Sequence, residues 1–403
     1  MRIFLIVSLF VTSLSAALQV EVSAPSAILI NGRTGKVIYE KNARTKRPPA
    51  STTKIATALY VLEQLSSYDT SVTASSSALK VVTEDQKKNS PDLYPSYTLE
   101  EDGSMIGIRP GEKMKLKDLL YSLLLSSGND SANVIAEGYA GSIDDFMKQV
   151  NQYLHQTGLK NTHFSNPHGL HSEDHYSTAY DLALLAQKAL EHPTFREMVS
   201  ASQYLVPRTN MAKARELSQS NRLLQKGPFY YPSALGVKTG TTSKAKNCLV
   251  AAAEREDRYL ISVVLGCERS EDRFLDTIQM FESAFREKKE ETTLVPMSRV
   301  FEKEIEGGNC LLKARLQEDA VLSQYPSEQV PVKAFIHWES TTAPVDKGQH
   351  VASLKIQDVD GNILTSYPLY AEEKVRRSFA YFLKTLFQKG NGTSQHSAPL
   401  PAQ

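Results

Sequence analysis

The stretch Pro48-Pro49-Ala50-Ser51-Thr52-Thr53-Lys54-Ile55-Ala56-Thr57-Ala58-Leu59-Tyr60-Val61-Leu62 runs from a double-proline break into a strongly apolar segment. Proline ends whatever precedes it and tolerates a helix beginning just beyond. Ile55, Leu59 and Leu62, with Val61 or Leu65, fall on one side of a helix predicted from about Ser51. Ser51 and Lys54 then stand one turn apart on the same face. A hydroxyl beside an uncharged amine is a nucleophile with its base, and the N–H groups of a helix start are donors for an oxyanion.

By itself that spacing says little, because Ser-x-x-Lys is expected about twice by chance in such a chain. Ser77 to Lys80 and Ser243 to Lys246 match it as well. Ser77 lies in a serine-rich stretch and Ser243 follows another motif, so only Ser51 opens an apolar helix after a proline break. A second element, Ser127-Gly128-Asn129, falls in a turn between two apolar helices. Its serine can relay a proton to a leaving amine and its asparagine amide can hold a peptide unit, although Ser and Asn also suit a plain helix cap. The third, Lys238-Thr239-Gly240 with Thr241-Thr242, ends an apolar strand. Lysine and threonine there can grip a carboxylate, and glycine lets a substrate backbone lie against the strand edge.

In this order the three motifs resemble the signature set of the penicillin-recognising serine enzymes. At finer grain the chain resembles the low-molecular-mass D-alanyl-D-alanine carboxypeptidases. The likeness rests on Pro49-Ala50-Ser51-Thr52-Thr53-Lys54, Ser126-Ser127-Gly128-Asn129-Asp130, Asn166-Pro167-His168-Gly169-Leu170 and Gly236-Val237-Lys238-Thr239-Gly240, and it extends from about residue 26 to 369. The resemblance implies Ser51 as nucleophile, Lys54 as its base and Ser127 as proton relay, with Asn129 orienting the peptide. It implies Lys238, Thr239 and Thr241 around the terminal carboxylate, with Gly240 beside them and the N–H groups of Ser51 and Thr241 as oxyanion donors. Arg222 is a further candidate for the carboxylate. The implied substrate is a peptidoglycan stem peptide ending in D-Ala-D-Ala, with β-lactam antibiotics acylating the same serine and no cofactor or metal required. Class A β-lactamases carry a Glu-x-x-x-Asn context between the second and third motifs; none occurs between Asn129 and Lys238. Penicillin is therefore expected to acylate Ser51 and leave slowly. A DD-endopeptidase or slow β-lactamase with the same site stays open.

Around the motifs, strands at both ends with helices between them predict an α/β (α+β) body whose first and last segments share one sheet. The resemblance makes this a β-lactamase/transpeptidase-like domain over residues 24–289, an antiparallel sheet flanked by helices. A hairpin is expected over residues 26–40 around Gly32-Arg33-Thr34-Gly35. Further helices are expected over residues 116–125, 129–139, 143–157, 177–190 and 271–288, and a second hairpin around residues 254–258. From residue 290 to 370, short alternating runs separated by Gly307-Gly308, Asp346-Lys347-Gly348 and Asp360-Gly361-Asn362 predict a small all-β sandwich domain.

The 403 residues carry 46 basic and 45 acidic side chains, a net charge of +1, so no global field attracts nucleic acid. Residues 1–17, one arginine and an apolar run closing on Ser15-Ala16-Ala17, read as a signal peptide, which implies an exported, periplasmic protein. Over residues 372–389, Val375, Phe379, Phe382, Leu383, Leu386 and Phe387 repeat at helical spacing among Lys374, Arg376, Arg377, Lys384 and Lys389. That is either a helix lying on an anionic membrane surface or one docked on its own domain; the family's anchors favour the first. The tail, residues 390–403, has a disordered composition. Cys248 and Cys267 sit in the two arms of a hairpin, where a bridge is geometrically open and free buried thiols are the expected state. Two other classes compete with the serine enzyme. His163, His168, His171 and His175, with Glu173 and Asp174, suggest a zinc-binding hydrolase, and a catalytically silent cell-wall binding protein would keep the motifs without the activity.

Overall fold

The computed structural model describes residues 17–390 apart from 91, 340 and 341, so all but the last residue of the expected signal peptide and the 391–403 tail lie outside the described residues. It forms two compact units that divide between Glu287 and Lys288.

The first unit is built on a five-stranded antiparallel sheet in the order Val37–Lys41, Ser26–Asn31, Arg258–Cys267, Lys246–Arg255, Ala234–Thr242. Its first and last segments do share one sheet, since Ser26–Asn31 pairs along its whole length with Arg258–Cys267. The central strands are covered on both faces, which is why they read as near-continuous apolar runs. Alternate residues go to opposite sides. Ile28, Ile30, Val250, Ala252, Ile261 and Val263 join a core with the helices Lys54–Gln64, Leu116–Leu125, Asn129–Ala140, Ile143–Gln156 and Ala179–Glu191. Ala27, Leu29, Leu249, Ala251, Leu260 and Val264 pack instead against Phe274, Met280, Phe281 and Ala284 of the helix Asp272–Phe285.

A break in that alternation decides the cysteines: the pairing of Lys246–Arg255 with Arg258–Cys267 shifts register between Asn247 and Leu249, which turns Cys267 to the other face. Cys248 packs in the first of these cores and Cys267 in the second, so the sheet itself separates two thiols that are close in the hairpin. Both are buried and free, and Cys310 is exposed and free.

The second unit is all-β. A five-stranded sheet, Val300–Lys303, Leu312–Arg315, Ile363–Ala371, His350–Asp358, Val332–Trp338, shares one core with the pair Glu290–Val295 and Ala320–Gln324. The sequence reading misses that pair. Its strands alternate poorly, with four exposed residues opening Glu290–Val295. The C-terminal helix is shorter than expected, Phe379–Gly390. Val375 is not on it: the residue is fully buried in the β core and exchanges both backbone hydrogen bonds with Val345, at 2.9 and 3.0 Å. Lys374 pairs with Asp346 at 2.6 Å. Ser378 begins the helix, its hydroxyl accepting from the Tyr381 N–H. Among the described residues no helix is long and apolar enough to cross a membrane.

Denatured protein that has never met a reductant is expected to take up three iodoacetamide groups. Uptake of one would mean that a Cys248–Cys267 bridge forms despite the intervening sheet.

Candidate active site

Ser51 sits in a 3-10 turn, Ala50–Thr53, that runs into the α-helix beginning at Lys54, a tighter entry than the sequence suggests. The Thr52 and Thr53 hydroxyls donate to the carbonyls of Pro49 and Ala50 at 2.8 and 2.9 Å and hold the turn closed. Ala50 and Ser127 both adopt left-handed backbone, φ +50° and +60°, a conformation costing an L residue roughly 1–2 kcal/mol. Behind the turn lies His175. Its Nδ1 accepts from the Ser165 N–H at 3.1 Å, so its Nε2 carries the proton and donates to Thr53 Oγ1 at 2.8 Å. Burial, ahead of the charges of His163 and His171, pushes His175 down to about 3 and keeps it neutral.

Lys54 is fully buried, and its Nζ meets Asn129 Oδ1 at 2.7 Å, the His168 carbonyl at 2.6 Å and Ser51 Oγ at 2.8 Å. Burial first, then the charge of Lys238, hold it well below the usual lysine range, against a smaller opposing pull from Asp130. An uncharged amine has two N–H groups and one lone pair. The amide and carbonyl oxygens can only accept, so they take both N–H groups and the lone pair faces the Ser51 hydroxyl.

The His168 carbonyl is delivered by the turn Asn166-Pro167-His168-Gly169-Leu170. Asn166 closes it, Oδ1 accepting from the Gly169 N–H at 2.7 Å and Nδ2 donating to the Leu170 carbonyl at 2.9 Å. Thr57 on the lysine's own helix donates to the Pro167 carbonyl at 2.6 Å. Gly169, at φ +97°, lies so close to the nucleophile turn that a Cβ there would stand 2.0 Å from the Ala50 carbonyl oxygen.

The strand Ala234–Thr242 is the edge of the sheet, its outer side unpaired with any other strand among the described residues. A Cβ at Gly240 would come within 2.9 Å of the Ser51 nitrogen, so glycine lets this edge pass beside the nucleophile. Lys238 is fully buried and donates to the Thr239 carbonyl at 3.2 Å; burial, then Arg273, push it down to about 7. Thr239 Oγ1 shares a hydrogen bond of 2.9 Å with Ser220. Ser127 follows the Leu116–Leu125 helix, nearly buried, and its hydroxyl finds no hydrogen-bond partner among the described residues.

The arginine at this edge is not Arg222. Asn221 caps a short 3-10 turn there, and the Arg222 guanidinium lies over the ring of Phe229 at 4.4 Å. Arg273 takes the place, its Nη1 donating to the Gly240 carbonyl at 3.1 Å and to Thr241 Oγ1 at 2.9 Å. Its only sequence signal is a position in the first turn of a helix that follows the third motif's hairpin. Asp130, next to Asn129, is a second residue the sequence reading left unassigned. It accepts from the N–H groups of Ile106, Gly107, Ile108 and Ser131 and pins the segment flanking the site.

The histidine cluster does not assemble. His168 is buried with both nitrogens occupied, Nδ1 accepting from Leu170 N–H and Nε2 donating to the Tyr97 carbonyl, and His175 is equally committed. Among the described residues no three His, Cys, Asp or Glu side chains are placed to hold a metal.

The family model described as D-alanyl-D-alanine carboxypeptidase matches residues 12–269. The chain belongs to this family. The D-alanyl-D-alanine carboxypeptidase DacF of Bacillus subtilis is 32% identical over 366 residues, covering 90% of this chain and 88% of its own length. DacC of Escherichia coli, of the same description, is 31% identical over 379 residues, 91% and 89% of the two chains. Among solved structures, the Streptomyces K15 DD-transpeptidase has 30% identity and a TM-score of 0.57 over 66% of this chain and 98% of its own. DacD of Francisella tularensis, at 23% identity and a TM-score of 0.61 over 91% and 97%, shares the fold through both units. As a D-alanyl-D-alanine carboxypeptidase family member the protein is an enzyme, a serine-type hydrolase of the bacterial cell wall.

Gly169→Ala is expected to slow acylation by penicillin about a hundredfold, because the new methyl must displace the Ala50–Ser51 turn. Acylation at the wild-type rate would contradict the role of this contact.

Proposed function

We propose that the enzyme removes the terminal D-alanine of peptidoglycan stem peptides through an ester on Ser51. Ser51 Oγ attacks the carbonyl between the two D-alanines while its proton passes to the Lys54 lone pair. The N–H groups of Ser51 and Thr241 receive the oxyanion. The C–N bond breaks as Ser127 hands a proton to the departing amine, and water then hydrolyses the ester. Asn129 orients the penultimate peptide unit. The terminal carboxylate is held by Lys238 and the Thr239 and Thr241 hydroxyls, with Arg273 steadying Thr241 and lending charge. The observation that carries this reading is the Lys54 amine, both of whose N–H groups are committed elsewhere so that its lone pair is aimed at Ser51. β-Lactams acylate the same serine, and the ester is expected to persist because the Glu-x-x-x-Asn context that supplies the water-activating glutamate of class A β-lactamases does not occur between Asn129 and Lys238.

We further propose that the protein is exported to the periplasm and rests on the outer face of the inner membrane through its C-terminal helix. Phe379 is 75% exposed, Phe382 50% and Leu383 38%, a cluster of apolar side chains that water does not favour. Lys384 on the same helix is also exposed and suits an anionic surface.

Mass spectrometry after penicillin treatment is expected to show one adduct on Ser51 that persists for minutes and is absent from Ser51→Ala. An adduct that survives in Ser51→Ala would remove Ser51 as the nucleophile.

A further inference from the structure

Over Ser51 opens a groove of about 500 Å3 whose lining includes Asn129, Thr241 to Lys244 and Gly169 to Glu173. Neither Lys238, Thr239 nor Ser220 lines it. The groove therefore leads away from the seat of the terminal carboxylate, toward the part of the substrate that stays on the enzyme as the acyl group.

Its lining holds a charge pair of an uncommon kind. Lys87 donates to Glu100 Oε1 at 2.9 Å and to the Thr98 carbonyl at 2.9 Å, and the two side chains are only 10% and 12% exposed. Both residues line the groove. Two local devices aim them inward: a capping box, Thr83 with Gln86, starts the Glu84–Asn89 helix that carries Lys87, and the Leu99–Glu100 strand pairs with Val81–Val82 just before that helix. Burying such a pair costs desolvation on both ions and is recovered only if the remaining donors and lone pairs find partners. An ammonium has three N–H groups, and Lys87 uses two; Glu100 Oε2 accepts from no group among the described residues. One donor and one acceptor, adjacent and nearly dry, are left facing the groove. The other carboxylates and ammoniums on its rim, Glu84, Asp102, Glu173, Lys88 and Lys244, are exposed, of both signs and screened by solvent.

A free donor on a cation beside a free acceptor on an anion matches a group carrying a carboxylate and an ammonium on one carbon. We propose that Lys87 and Glu100 form a subsite for the amino-acid end group of a diaminopimelate-type side chain on the residue preceding the two D-alanines. The carboxylate of that end group accepts from Lys87 and its ammonium donates to Glu100 Oε2. A lysine-type side chain fills only half of the site and leaves Lys87 unanswered. This inference rests on the carboxypeptidase reading above and adds to it the class of stem peptide preferred.

The test measures D-alanine release from three pentapeptides that differ at the third residue: diaminopimelate, diaminopimelate with its side-chain carboxyl amidated, and lysine. For the wild-type enzyme, kcat/KM is expected to be about tenfold higher for the first than for either other, the scale of a charge-assisted hydrogen bond in a partly open site. Lys87→Met is expected to bring the first down to the level of the second while penicillin still acylates Ser51 at the wild-type rate. Should that variant fail to label with penicillin, Glu100→Gln and the wild-type comparison carry the test. Equal kcat/KM for all three peptides with the wild-type enzyme would overturn the subsite and leave the carboxypeptidase reading standing. Release from none of them, by protein that penicillin still labels, would overturn that reading and the subsite with it.

Discussion

Two lysines enclosed in one water-poor space cannot both keep their charge. Lys54 and Lys238 are each fully buried, and each ammonium is penalised by lost hydration. Lys54 also feels Lys238, and Lys238 feels Arg273. The arrangement resolves the conflict by depressing both. In the proposed mechanism Lys54 serves as an amine base, and Lys238 at about 7 keeps enough cationic character to meet a carboxylate. A substrate carboxylate would then restore part of the charge that burial takes away.

The rest of the first unit can be understood as the scaffold that keeps this space closed and aimed. The helix Lys54–Gln64 brings the amine, the Asn129–Ala140 helix an amide oxygen, the Asn166 to Leu170 turn a carbonyl, and the sheet edge the second lysine. Two close approaches, at Gly169 and Gly240, let the three backbones meet around Ser51. Of the strained residues, Ala50 immediately precedes Ser51, and Ser127 is itself the serine to which the mechanism gives the proton relay. Such strain persists only where surrounding packing over-determines it, and here the Thr52, Thr53 and His175 bonds do so.

Much of this was legible in the chain. Side-chain chemistry at fixed spacing revealed Ser51 and Lys54, and turn chemistry and strand-end position suggested Asn129 and Lys238. What stayed hidden has physical reasons. The His168 contact is made by a backbone carbonyl, which every residue owns, so residue type points to the imidazole and away from the atom that matters. Arg222 and Arg273 are alike as letters; only the 3-10 turn at Asn221 and the packing of Phe229 separate them. Val375 matched the helical spacing of the C-terminal segment, but its burial against Val345 outweighs local periodicity. Nothing in the sequence sets Lys87 apart from a solvated lysine; the strand bearing Glu100, folded beside it, does.

The central claim is that Lys54 is an uncharged amine in the resting enzyme. The most direct measurement is an NMR pH titration of the lysine side-chain nitrogens, with Lys54 assigned by its loss in Lys54→Met. The Lys54 resonance is expected to titrate well below the ordinary lysine range, and to move upward in Lys238→Met, where a neighbouring cation is removed. A Lys54 ammonium that stays protonated up to the pH at which exposed lysines lose their protons would contradict the account.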